Sequence, residues 1–153
     1  MKKQKGFSLI ELLIVVAIIL IIAAIAIPNL IKSKIAANEA SAVGSLRTIN
    51  TAELTYSSTY GTGFTILSTL GSTTVGLIDP VLGAGTKSGY TIAADHGSTG
   101  SGSSTDPWVT YTSSAKPLKQ DVTGTRSFCS DESGVIRWVT GGGTCSNTST
   151  ALQ

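Results

Sequence analysis

Sixteen consecutive residues, Leu12 to Ile27, carry no polar side chain. No other feature of the 153-residue chain restricts its fold as strongly, because such a run must be covered by lipid or by other apolar helices. Extended back to Phe7 the segment holds 21 residues. At about 1.5 Å per residue, a helix of that length crosses a hydrocarbon core of about 30 Å. Glu11 breaks the pattern. A carboxylate in an apolar span costs roughly 2.5–3.5 kcal/mol or more at the bilayer centre. Something has to meet that charge.

The flanks set the orientation. Lys2, Lys3 and Lys5 precede the run and predict a cytoplasmic N-terminus. Lys32 and Lys34 follow it, so the bias is modest. A secretory signal peptide is the ordinary alternative, and Ala24-Ile25-Ala26 supplies a small-x-small cleavage site for it. Against that reading stand the length of the run and the presence of Glu11, which would serve no purpose in a segment destined for removal.

Charge and cysteine usage narrow the rest. The net charge of +2 comes from the N-terminus: without the first three lysines, 11 − 3 = 8 basic side chains face 9 acidic ones. A near-neutral remainder excludes nucleic acid binding by a broad basic face. Cys129 and Cys145 stand 16 positions apart. With a membrane-targeting N-terminus they read as one disulfide made in an oxidising compartment; two free thiols or half a metal site are the alternatives. The metal alternative has little support, since His96 is the single histidine and no CxxC pair occurs. No metal or cofactor is expected.

Beyond the apolar run the helical pattern continues. Pro28 cannot donate a backbone N–H and predicts a kink. Ile35, Ala42, Leu46, Ile49, Tyr56 and Tyr60 then recur at 7, 4, 3, 7 and 4 residues, a single helical stripe with Asn38, Ser45, Arg47 and Asn50 beside it. Gly61 and Gly63 end the helix. Residues 61–87 read as an irregular connection with at most a helical turn. Four strand signals follow, at Gly89–Ile92, Trp108–Thr112, Arg126–Cys129 and Val135–Val139, the last two forming a hairpin. Between them, residues 97–105 are Gly, Ser and Thr only and predict a solvent loop. Asn147-Thr148-Ser149 fits a glycosylation sequon, a short pattern with many chance hits.

Lys5-Gly6-Phe7-Ser8-Leu9-Ile10-Glu11 and the run up to Pro28 closely resemble the N-terminus of type IV prepilins and of the related pseudopilins of type II secretion. The family motif is a short basic leader ending in Gly, then Phe, then Glu at the fifth mature position; Gly6, Phe7 and Glu11 match it. The resemblance implies cleavage by a prepilin peptidase between Gly6 and Phe7 and N-methylation of Phe7. It also implies Pro28 as the helix kink and the Cys129–Cys145 bridge as the one delimiting a C-terminal loop. The physical need for a partner to Glu11 then has an answer. One subunit's Phe7 ammonium set against a neighbour's Glu11 offsets two burial costs and fixes axial register.

The fold expected is α+β: a long N-terminal helix, kinked near Pro28, packed on a C-terminal antiparallel meander of about four strands, the pilin architecture. Its parts are a leader (1–6), a membrane and filament-core helix (7–28), an amphipathic continuation (29–60) and a head (61–153). No catalytic constellation is present, so no enzyme is expected. The expected function is the major subunit of a type IV pilus. It would be anchored in the inner membrane as a precursor with a periplasmic head, then polymerised with its own copies at the cell surface. Membrane lipid, the peptidase and an inner-membrane assembly platform with its ATPase are the other expected partners. The alternative is a secretion pseudopilin, for which Asp106-Pro107-Trp108 echoes a segment of major pseudopilins, some of which hold calcium nearby. For Asp131 and Glu132, exposed hairpin carboxylates are the ordinary reading. A membrane-anchored periplasmic binding module or enzyme is the remote third.

Overall fold

The computed structural model describes residues 7–152. Its first element is a helix of 52 residues, α1 (Leu9–Tyr60), with Pro28 inside it. Two short helices follow, α2 (Leu67–Leu70) and α3 (Pro80–Gly83), then six strands. These are β1 (Thr86–Lys87), β2 (Tyr90–His96), β3 (Tyr111–Pro117), β4 (Arg126–Asp131), β5 (Arg137–Thr140) and β6 (Thr150–Ala151). They form one sheet in sequence order, each strand antiparallel to the next. The chain divides after Lys34 into two compact units, which α1 passes through in turn.

In the second unit the sheet packs on α1. Strands β2 and β3 alternate buried and exposed positions, as strands with one face on a core must. Tyr90, Ile92, Ala94, Ala115 and Phe128 meet Ala42, Leu46, Ile49 and Ala52 of the helix, and Leu67, Leu70, Ile78 and Leu82 close the side. Strand β4 is buried at Ser127, Phe128, Cys129 and Ser130 in succession. Phe128 and Ser130 face α1, while Cys129 is tied by a disulfide to Cys145, with Cα atoms 5.6 Å apart. Closing a loop of that size stabilises a fold by about 3 kcal/mol in the chain-entropy picture.

Four expectations change. The sheet has six strands rather than about four, because two-residue strands at either edge are set by their partners and leave no pattern of their own. The connection 61–87 contains α2, α3 and β1; Asp79 caps α3, its side chain accepting from the Leu82 N–H at 2.9 Å with Pro80 at the first helical position. The strand expected at Trp108 begins at Tyr111. Trp108 N–H donates to the Thr62 carbonyl and its own carbonyl accepts from Phe64 N–H, both at 3.0 Å, so this residue clips the connection after α1 instead of joining the sheet. Gly63 permits the approach: its φ is +85°, and a Cβ there would strike the Trp108 backbone. The glycine- and serine-rich loop also packs in part, with Gly100 and Gly102 lying against Pro107 and the Trp108 ring.

Candidate functional site

The segment from Phe7 onward is the candidate site. Phe7 and Ser8 are not helical, and α1 begins at Leu9. Gly6 and the rest of the expected leader lie outside the described residues. Through Ile31 every large apolar side chain is exposed in the single chain, from 45% at Val15 to 78% at Leu9. A surface of that extent needs a covering partner. Glu11 sits in the first turn, and its carboxylate accepts from the Ser8 N–H at 3.4 Å. That bond is long, and it leaves most of the acceptor capacity of the carboxylate unused among the described residues.

The head has its own polar ties to α1. Asn50 is buried, donating to Ser130 Oγ at 2.9 Å and accepting from the Tyr111 hydroxyl at 2.9 Å. Glu39 Oε1 accepts from Thr125 N–H, Thr125 Oγ1 and Arg126 N–H at 2.8–3.1 Å, and Oε2 takes the Arg126 guanidinium. Burial would raise the Glu39 pKa, but the Thr125 and Arg126 hydrogen bonds and the arginine charge outweigh it and hold the group below the usual carboxylate range. Glu53 goes the other way. Fully buried, it accepts one hydrogen bond, from Thr65 N–H at 2.9 Å, and its Oε1 has no partner among the described residues. Burial pushes its pKa up to about 7, against the opposing pull of the Thr65 bond and of His96.

These carboxylates were not singled out from the sequence, although the stripe contained the signal. Its two seven-residue gaps, Ile35 to Ala42 and Ile49 to Tyr56, hold Glu39 and Glu53 at the missing 4 + 3 positions. Ser45 and Asn50, read as flanking the stripe, are buried, whereas Tyr60 is 47% exposed. Asp106, Asp131 and Glu132 do not converge: among the described residues no group of three or more His, Cys, Asp or Glu is placed to hold a metal ion. A groove of about 540 Å³ lies between β3, β4 and the disulfide-tied segment, lined by hydroxyls with Asp131, Glu132 and Arg137.

Residues 1–27 match the family described as the prokaryotic N-terminal methylation motif. Over 54 residues, 35% of its length, the chain is 48% identical to the type IV major pilin protein PilA of Myxococcus xanthus. Over 39 residues, 26% of its length, it is 59% identical to the type IV wide pilus major component PilA4 of Thermus thermophilus. The matches span 24% and 30% of those relatives. No solved structure matches the chain. The motif and the two relatives together support a resemblance to the type IV pilin family over part of the chain.

Proposed function

We propose that this chain is the major structural subunit of a type IV pilus. A prepilin peptidase cuts between Gly6 and Phe7 and methylates the new amine. The apolar helix anchors the precursor in the inner membrane with the head in the periplasm, and then leaves lipid to pack against its copies in a filament raised by an assembly platform and its ATPase. One observation carries this reading. The exposed apolar run of α1 holds a carboxylate, Glu11, in its first turn, four residues after the residue whose amine cleavage would free.

The chemistry follows from that spacing. In a dry bundle, an unpaired ammonium and an unpaired carboxylate are each costly, and pairing them between neighbours removes both penalties at one axial stagger. Methylation of Phe7 keeps the positive charge. Pro28 leaves a carbonyl one turn earlier without its helical donor, which gives the helix a compliant point between the membrane run and the head.

The test is mass spectrometry of mature protein from cells. The reading requires a chain of 153 − 6 = 147 residues beginning at N-methylated Phe7. A mature chain beginning at Ile27 would mean ordinary signal-peptidase cleavage after Ala26 and would end the pilus reading.

A further inference from the structure

The hairpin connections sort the charges of the head to opposite ends of its sheet. The β2–β3 and β4–β5 connections leave from the end where His96 pairs Tyr111 and Thr112 pairs Asp131. The β3–β4 connection leaves from the other end, where Tyr90 pairs Pro117. The first end carries Asp106 and Glu132, both exposed, with Asp95 and Asp131 beside them. Among the described residues none of these four forms an ion pair. The second end carries exposed Lys116 and Lys119, opposed by Asp121, which accepts from Gln120 Nε2 at 3.2 Å.

Each end also displays a pair of apolar side chains. Leu118 and Val122 are 58% and 50% exposed between and beside the lysines; Val109 and Val135 are 53% and 38% exposed beside the carboxylates. Exposed aliphatic groups beside charge mainly of one sign mark a contact surface, Arg137 being the minority charge at the acidic end and Asp121 at the basic end, and here the same molecule carries the matching surface of opposite sign. A lipid surface would answer the basic end alone and leave Val109, Val135 and their carboxylates unmatched. A second copy answers both.

We infer that the two ends form a head-to-tail contact between copies of this chain, Lys116, Leu118, Lys119 and Val122 of one head docking on Asp106, Val109, Glu132 and Val135 of the next. The contact is heterologous, so it does not close on a dimer and propagates as an open array. The inference rests on the pilus reading and deepens it: apolar helices supply cohesion without much direction, while this contact gives the heads an orientation along the filament.

Sheared filaments of the full chain, treated with a carbodiimide that joins an amine to a carboxylate without a spacer, provide the test. Mass spectrometry should find Lys116 or Lys119 linked to Asp106 or Glu132. Strand β3 takes six steps from Tyr111 to Pro117, about 20 Å at about 3.3 Å each, so such a link has to join two copies. In parallel, Lys116→Glu with Lys119→Glu should lower filament yield on the order of tenfold, as about 1.4 kcal/mol of repulsion per contact would, with processed monomer unchanged in the membrane. Adding Asp106→Lys and Glu132→Lys to the same chain should restore the yield. Filaments without these links, normal yield from the lysine variant, or no recovery on the second pair of changes would overturn the contact. A wild-type chain that makes no filament would overturn the pilus reading, and the contact with it.

Discussion

Glu39 Oε2 receives both Nε and Nη2 of Arg126 at 2.7 Å, a two-pronged ion pair across 87 residues of sequence that ties α1 to the first residue of β4. The arginine is fixed from its other side as well, its guanidinium carbon lying 5.3 Å from the Phe128 ring centre and 5.4 Å from that of Trp138. The pair is asymmetric: the Glu39 side chain is 6% exposed and that of Arg126 35%.

Replacing the carboxylate is therefore the more damaging change. Glu39→Ala leaves Thr125 N–H, Arg126 N–H and the guanidinium without an acceptor. The expected loss is about 2–3 kcal/mol, between an exposed pair and a fully buried one. Because the Glu39 pKa is depressed on folding, its contribution is present above the usual carboxylate pKa and disappears as pH falls through the folded value. Thermal melting of full-length protein in detergent, followed by tryptophan fluorescence at pH 7 and under acid conditions, measures both effects. Equal melting of wild type and Glu39→Ala at pH 7 would remove this tie from the account.

Glu53 predicts the opposite slope. Its folded pKa, about 7, lies above the usual 4.5, so its contribution is full below about 4.5 and is lost as pH rises through about 7. A shift of that size is worth up to about 3 kcal/mol at about 1.36 per unit. His96 and Tyr111 are the titratable groups that face it from the sheet, and both influence or sense its charge. The head should melt higher at pH 5.5 than at pH 8.5, and Glu53→Gln should flatten that difference while raising the melting temperature at pH 8.5. A wild-type chain that gains stability from pH 5.5 to 8.5 would show that the unpartnered oxygen is solvated after all.

How much of this was legible follows from where each signal resides. The apolar run, Glu11 and the helix end at Gly61, with its φ of +67°, are local features and were readable. So was the strand that opens at Tyr90, where half-burial imposes alternation, and so was the existence of a strand around Phe128, although β4 is buried on both faces. Glu39 and Glu53 go unnoticed and Asn50 reads as flanking because a stripe of apolar positions treats a polar residue as an interruption. In this helix the interruptions are the residues that grip the sheet. Alternation over Trp108–Thr112 puts Trp108 in a strand. Its backbone instead meets Thr62 and Phe64, a contact set by the tertiary path of the connection, which nothing near position 108 encodes. The edge strands β1 and β6 depend on their neighbours in the same way.

Glu11 carries the last prediction. Removing its charge makes membrane insertion easier, so Glu11→Ala should insert normally. Cleavage should also proceed, since the junction at Gly6-Phe7 precedes it. Assembly is where the loss should appear. A neighbour's Phe7 ammonium would enter the bundle without a counter-charge, at a cost of roughly 3–5 kcal/mol for a broken buried pair. Repeated at every subunit, that should abolish filaments or nearly so while processed monomer accumulates in the membrane. Glu11→Gln keeps an acceptor without the charge and should fall between. A sheared-filament assay beside a membrane immunoblot reads both quantities for each variant. Normal filament yield from Glu11→Ala would eliminate the register pair, and the carboxylate in the apolar run would again need a partner.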